Sequence, residues 1–327
     1  MTAMNNCIIT GGSGFIGTHL IQSLLNDGLF DKITVIDIKE PRISDARVEY
    51  INGDIRQPIS IELSGDYSTC YHLAAVCKEP GFPWDEYFQT NYIGTINVCN
   101  WTNRIGVKNL IFTSTMMVFR AGEERNHEES LTAPDTGYGM SKLLAEWVVK
   151  EWQSKAANRR LRIVRLGVVF GQWENGNYTR LYYALKKRRF AYIGRKTTVK
   201  GSIYVKDTIR FLIFLTDDNH SRCTYNLVYQ QSTTIKDICD TMSEVFGFSG
   251  RMIPVVPYRL ALWAAYGFEF ISALGLKNPI HHRRIQKLYY STDISADKAY
   301  DTGFQLQFSL RDALKDWRDK CLPEDIY

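Results

Sequence analysis

The chain has 327 residues, 45% of them hydrophobic and 23% charged, with a formal net charge of +5. That length buries a sizeable core in one large domain or two packed ones, and the composition excludes disordered, collagen-like and disulfide-stapled classes. Seven cysteines without a C-x-x-C pair read as reduced thiols, packed as small hydrophobes in a cytoplasmic protein.

The N-terminus runs almost directly into an apolar strand at 7–10, with none of the regions of a signal peptide. A glycine-rich turn (11–17) follows, then a helical pattern over 15–27 carried by Ile16, Leu20, Leu24 and Leu25. The β-branched run 33–38 predicts a second strand buried on both faces. Further strands are predicted at 69–74, 108–114 and 161–170, with helices near 85–105 and 138–157 between them. Strand-helix alternation of this kind predicts an α/β fold with a doubly wound parallel sheet.

After Gly171 the alternation stops. Residues 171–200 read as loop and basic helix, 201–205 and 224–228 as strands, and 234–247, 257–274 and 309–321 as helices. The most apolar stretch, 253–276, contains Arg259 and Glu269 and opens on Pro254 and Pro257. It reads as an amphipathic helix packed on its own protein and not as a membrane span. The basic excess of 155–200 has no aromatic-basic recognition module or paired metal ligands beside it, so neither nucleic acid nor a metal is expected as a partner.

The turn Gly11-Gly12-Ser13-Gly14-Phe15-Ile16-Gly17 fits both G-x-G-x-x-G and G-x-x-G-x-x-G, and it lies between a strand and a helix. Glycines there permit a tight turn, close backbone approach to a pyrophosphate and close helix-strand packing, with the helix N-terminus facing the phosphates. Asp37 lies 20 residues beyond Gly17 at the end of the second strand, placed to bond ribose hydroxyls. Its charge would repel a 2′-phosphate, so NAD is expected over NADP, although Lys39 and Arg42 lie nearby. The expected division is a Rossmann domain of 1–171 plus about 201–245, and a smaller interleaved substrate domain of about 172–200 plus 246–327.

Tyr138 and Lys142 are four residues apart at the start of a helix, hence on one face. An ammonium beside a phenol favours the phenolate, as acid-base work on a hydroxyl requires. The preceding strand ends in hydroxyl residues, Thr113-Ser114-Thr115.

With these motifs the chain resembles the extended short-chain dehydrogenase/reductase family, in particular its nucleotide-sugar epimerase and dehydratase branch. The resemblance covers most of 5–171 and continues more loosely beyond. It rests on the glycine turn, Asp37, Gly53-Asp54-Ile55, His72-Leu73-Ala74-Ala75, Asn91, Phe112-Thr113-Ser114-Thr115 and Tyr138-x-x-x-Lys142. Later echoes are Arg165 through Gly171, Ile203-Tyr204-Val205-x-Asp207 and Gly303-Phe304. It implies a cofactor site of Gly11, Gly14, Phe15, Ile16, Gly17, Asp37, Asp54, Ile55, Leu73, Ala74, Ala75, Asn91, Ser114, Tyr138 and Lys142. It also implies that Thr115 bonds the reacting hydroxyl, with Ser114 the alternative, that Tyr138 shuttles the proton and that Lys142 holds the nicotinamide ribose. A homodimer formed through the two helices near 85–105 and 138–157 is implied too, with Trp84, Tyr87, Trp101, Trp147 and Trp152 as contacts.

Two departures narrow the chemistry. Met116-Met117 stands where the 4,6-dehydratases carry Asp-Glu, which argues against dehydration. Val168 replaces an Asn that touches substrate in many of the epimerases, and this leaves a 4-ketoreductase open beside an epimerase. Asn177, Arg180, Lys200, Arg251 and Arg284 are candidates for binding a nucleotide diphosphate sugar, with Met116 at the pocket floor. Alternatives are a hydroxysteroid-dehydrogenase-like enzyme acting on a hydrophobic alcohol, and a non-catalytic dinucleotide sensor or scaffold.

Overall fold

The computed structural model describes residues 6–217, 223–248, 252–273 and 282–320. The chain opens with β1 (Asn6–Thr10), α1 (Phe15–Asp27), β2 (Lys32–Asp37), β3 (Val48–Asn52) and β4 (Tyr67–His72). Next come α2 (Trp84–Tyr87), a π-helical segment (Phe88–Ile93), α3 (Gly94–Arg104), β5 (Asn109–Thr115), α4 (Gly137–Ser154), β6 (Arg160–Leu166) and β7 (Val168–Phe170). They are followed by α5 (Asn177–Lys186), β8 (Tyr192–Ile193), β9 (Ser202–Tyr204), α6 (Val205–Phe214), β10 (Thr224–Leu227) and α7 (Ile235–Val245). Last are β11 (Val255–Val256), α8 (Tyr258–Ala273), α9 (His282–Tyr289), α10 (Asp297–Tyr300) and α11 (Leu310–Lys320).

Seven strands form one sheet in the order β3-β2-β1-β4-β5-β6-β10, every pair parallel. Side chains alternate across each strand and feed two apolar layers. Ile9, Val35, Tyr71 and Ile111 pack with α1 residues Leu20 and Leu24 and with Ile209 and Leu212 of α6. Ile8, Ile36, Cys70 and Phe112 pack with Val98 and Trp101 of α3 and Ala145 and Val149 of α4. The strand order reverses between β1 and β4, and in open α/β sheets ligands bind in the crevice at the carboxyl ends of such a pair. Thr10 sits opposite both Ile36 and His72, so the glycine turn leaves the sheet level with Asp37 and Leu73.

The helix expected over 85–105 is interrupted by the π segment, which carries Asn91. The strand expected over 161–170 breaks at Gly167, where a Cβ would stand 2.8 Å from the Gly201 carbonyl oxygen. Beyond that break β7 leaves the main sheet and pairs with β9, so the strand expected at 201–205 is not part of the large sheet. Strand β3 and helices α6 and α9 escape the sequence reading, since all are short and α9 carries few apolar residues.

The apolar helix is a correction of another kind. Helix α8 buries only Ala261 and Ala265 among its described side chains and leaves Leu260, Trp263, Tyr266 and Phe268 exposed. The face it docks on α9 is made of these alanines with half-buried Tyr258 and Leu262, which leaves several of its large apolar side chains turned outward. Among the described residues no helix is long and apolar enough to cross a membrane.

Candidate active site

The β1–α1 turn is shaped by close backbone approach. Gly11 has φ +79°, and a Cβ there would lie 2.5 Å from the Ala74 backbone nitrogen. At Gly17 a Cβ would lie 2.4 Å from the Gly11 carbonyl oxygen, so any side chain would push α1 off the turn. Gly14 is the N-cap residue of α1 and makes no side-chain cap, and Phe15 and Ile16 begin the first turn. Asp37 accepts from the Ser13 backbone N–H at 2.9 Å and the Lys39 N–H at 3.0 Å, which fixes its carboxylate at the mouth of the cradle. Among the described residues the buried Ser13 hydroxyl finds no hydrogen-bond partner. Free helix-end N–H groups, an orphaned hydroxyl and a backbone that tolerates no Cβ fit the pyrophosphate of a dinucleotide.

Asp54 is gripped by Arg56 at 2.7 Å, which holds its carboxyl below the usual range, and Ile55 is buried against Gly94. Leu73, Ala74 and Ala75 follow β4 and line the other side of the cradle. The loop after them is clamped by Asn91. Its Oδ1 accepts from Val76 N at 2.8 Å, and its Nδ2 donates to Val76 O and to Ser141 Oγ, both at 3.0 Å. Ser141 donates onward to the Tyr138 carbonyl at 2.9 Å, so Asn91 positions the first turn of α4. Beneath it, His72 bonds Thr10 at 2.6 Å and Thr95 at 2.9 Å, and Thr95 donates to the Asn91 carbonyl. Burial pushes His72 down to about 3, so it stays neutral and structural.

Thr136 caps α4 by accepting from Gly139 N at 3.0 Å. Gly139, which the sequence reading passed over, lets that turn press onto the segment after β5, where a Cβ would stand 2.2 Å from the Met117 carbonyl oxygen. The result brings the Tyr138 phenol up to Thr115, whose Oγ1 accepts from the Met117 N–H at 3.2 Å. Lys142, one turn further on, is buried with its Nζ 4.0 Å from the Phe112 ring centroid. Burial lowers Lys142 to about 7, with Glu146 opposing the shift. Burial pushes the Tyr138 phenol up, as does Cys77, while Thr115 pulls the other way.

Ser114 faces away from this pair. Its hydroxyl donates to Glu146 at 2.6 Å, and Glu146 is held by Arg165 at 2.7 and 2.9 Å. Of the two hydroxyls, Thr115's is the one on the side of Tyr138.

The charged candidates for substrate binding divide. Asn177 and Arg180 are exposed at the start of α5 and bond each other at 2.8 Å. Lys200 is spent elsewhere: its ammonium donates to the carbonyls of Lys287 (2.5 Å) and Tyr290 (2.7 Å), closing the C-terminal end of α9. Arg284 is exposed on α9, and Arg251 lies outside the described residues. Met116 packs beside Gly201. A residue that sequence reasoning missed is Lys287, whose Nζ donates to the Glu79 carbonyl at 2.6 Å and so ties α9 to the loop following Asn91's clamp. Burial lowers Lys287 to about 8.

A glycine cradle with an acidic residue at the second strand, and a Thr-Tyr-Lys set at the carboxyl end of a parallel sheet, define a dinucleotide-dependent oxidoreductase of the extended short-chain type. The family model described as "NAD dependent epimerase/dehydratase family" matches residues 7–227, and the chain belongs to that family as an NAD-dependent enzyme. It is 29% identical over 317 residues to the N-acetyl-alpha-D-glucosaminyl-diphospho-ditrans,octacis-undecaprenol 4-epimerase of Escherichia coli O157:H7, covering 95% of this chain and 93% of that one. Its fold is similar to that of the Bordetella bronchiseptica enzyme WbmG in complex with NAD, with TM-score 0.76, 22% identity, and 100% and 97% of the two chains covered. The UDP-glucuronic acid 4-epimerase from Bacillus cereus in complex with NAD matches with TM-score 0.74 at 21% identity, over 96% and 97%.

Proposed function

We propose that the protein inverts, or in a net-redox variant reduces, C4 of a hexose carried on a diphosphate, in the synthesis of glycan precursors. The observation that carries this reading is the juxtaposition of Tyr138 and Thr115, set one helical turn from Lys142 in a site where Met116-Met117 supplies no carboxyl group for dehydration. Thr115 orients the C4 oxygen, and Tyr138 exchanges the proton at that oxygen. Bound NAD would take a hydride from C4 and return it, to the opposite face for inversion. The residues that would hold it are Gly11, Gly14, Gly17, Asp37 and Lys142. Taking the proton of the C4 alcohol needs Tyr138 as phenolate, whose charge the Lys142 ammonium one turn away would offset, and the resulting phenol gives the proton back to a C4 ketone oxygen.

Relatives that act on diphosphate-linked sugars support the substrate class, among them a polyprenol-linked 4-epimerase and a UDP-sugar 4-epimerase. On this reading the cofactor domain comprises 1–171 plus about 201–245 and the remainder binds the sugar. The enzyme works on the cytoplasmic side, in keeping with the six free thiols among the described residues. It pairs through α3 and α4. Of the five aromatic residues expected at that interface, Tyr87, Trp101 and Trp152 are core residues of the monomer, which leaves exposed Trp84 and Trp147 to make the contact.

The test offers the purified protein UDP-hexoses and polyprenyl-diphosphate-linked N-acetylhexosamine, and follows C4 configuration together with the redox state of NAD. Inversion without net NADH formation identifies an epimerase, and consumption of added NADH with a 4-keto sugar identifies the reductase. Tyr138→Phe should lower kcat by about 10²–10⁴ without loss of NAD binding. Wild-type turnover in that variant would refute the assignment of Tyr138.

A further inference from the structure

Helix α8 has its polarity inverted for a helix in water. The residues it buries are alanines, whereas Leu260 is 62% and Trp263 76% exposed, with Tyr266 and Phe268 beside them. Just upstream Met252 is 86% exposed, so the apolar surface continues onto the segment that enters the helix. A contiguous exposed apolar patch on a folded protein marks an interaction surface. The helix is 16 residues long, below what a membrane crossing needs, yet long enough to lie along an interface.

The chain segments that build the patch and its flank are basic, with Glu269 on α8 and Asp237 and Asp240 near β8 as the neighbouring carboxylates. No Asp or Glu occurs from Asn175 to Lys206 or from Met252 to Phe268. Within these segments Lys186, Lys187, Arg188 and Arg189 form an exposed run, and Arg259 is exposed on α8 itself. The run is brought to the patch by the fold: it leads into β8, which pairs with β11, and α8 begins one residue after β11 ends. Tryptophan and tyrosine on an apolar face, with a run of cations flanking it, is the arrangement that seats a helix at the headgroup level of an anionic bilayer.

We propose that α8 and the adjoining basic run form a docking surface for an anionic membrane. The docking rests on this surface alone. Its use rests on the function proposed above: a sugar diphosphate carried on a polyprenyl chain stays in the bilayer, and the enzyme must come to it. The two are connected through α9. Glu269 of α8 accepts from His282 of α9 at 2.8 Å, and Lys287 of α9 bonds the Glu79 carbonyl in the loop that Asn91 anchors beside Tyr138. A docked α8 therefore sets the substrate side of the cleft toward the lipid.

The experiment is sedimentation of the full chain with vesicles of phosphatidylcholine alone, or with about a third phosphatidylglycerol, at low and high salt. Wild type is expected to pellet with the anionic vesicles and to be released by salt. The variant Leu260→Ser/Trp263→Ser should bind at least about tenfold more weakly, with unchanged thermal unfolding and NAD binding, since both side chains are exposed. Arg188→Glu/Arg189→Glu should lose the preference for phosphatidylglycerol. Wild type left in the supernatant of both vesicles would overturn the proposal. So would full binding by the Leu260→Ser/Trp263→Ser variant, or a dimer in solution that this variant dissociates while no vesicle is bound. Vesicle binding without turnover of any diphosphate-linked hexose would uphold the docking surface and sink the proposed function.

Discussion

Glu146 is the most exacting test of how the site is held. It is fully buried, and its carboxylate accepts from Ser114 Oγ at 2.6 Å, Arg165 Nε at 2.9 Å and Arg165 Nη2 at 2.7 Å. Replacing it with leucine strips a guanidinium that is only 4% exposed of its counter-charge, leaving the Glu128 carbonyl at 3.1 Å and the face of Phe119. Removing one partner of a buried pair costs about 3–5 kcal/mol, a large share of the roughly 5–15 kcal/mol that holds a domain folded. Glu146→Gln, which still offers Ser114 an acceptor, should cost less, about 1–3 kcal/mol. Urea denaturation at neutral pH measures both as shifts in midpoint. Glu146→Leu/Arg165→Met should recover most of the loss, because two apolar residues of similar volume replace the whole pair. A single-variant cost under about 1 kcal/mol, or a double variant as unstable as the two singles summed, would refute the account. The carboxylate also raises Lys142 against its burial, so in Glu146→Gln the pH limb of turnover set by Lys142 should move to lower pH. An unmoved limb would show that Glu146 does not act on Lys142.

Lys142 itself titrates at about 7 when folded, against 10.5 for an ordinary lysine. Below pH 7 both folded and unfolded chains carry the proton and the burial penalty is complete. Between about 7 and 10.5 the unfolded chain binds more protons, so stability rises with pH there at up to about 1.4 kcal/mol per pH unit from this group. Lys142→Met should be inactive yet more stable than wild type at pH 6, with the gap closing toward pH 10; a pH-independent gap in thermal unfolding would contradict this. Gly11→Ala meets both a positive φ and the Ala74 backbone at 2.5 Å, and should lose NAD binding in calorimetry together with at least about 1–3 kcal/mol of stability. Asp37→Asn removes the charge while leaving an acceptor for Ser13 N, so it should fold normally and lose most of its preference for NAD over NADP in KM; an unchanged ratio would sink the assigned role.

The cofactor half of the site was legible because its chemistry is made by backbone. A turn that must pass within van der Waals contact of Ala74 and of its own helix admits only glycine, so Gly11 and Gly17 announce themselves at fixed spacing. Continuous β-branched runs announce buried parallel strands in the same way. Asn91 was nameable only by resemblance, since its three bonds run to Val76 and Ser141 across two elements that no local pattern relates. Gly139 was missed for a similar reason: what it accommodates is the Met117 carbonyl, distant in sequence. The Tyr138 phenol shows the limit of spacing arguments, because four residues on a helix give proximity to Lys142 but say nothing of the desolvation that both groups undergo.

The substrate half resisted for a different reason. A lysine in sequence is a charge without an address, and Lys200 and Lys287 are a matched pair in this respect. Both are on the substrate side, both are pushed down by burial, and both end on backbone carbonyls instead of standing free in a cleft. Lys200 finishes α9, and Lys287, from α9, fastens the loop at Glu79. Two cations that composition would assign to a diphosphate are thus engaged in holding α9 and the loop at Glu79 in place. Other cations stay exposed: Arg180 and Arg284 at α5 and α9, and the 186–189 run and Arg259, which on the docking proposal would meet the phosphate of a lipid headgroup. Net charge was the right quantity to read from this sequence; which phosphate each charge serves is decided by the fold.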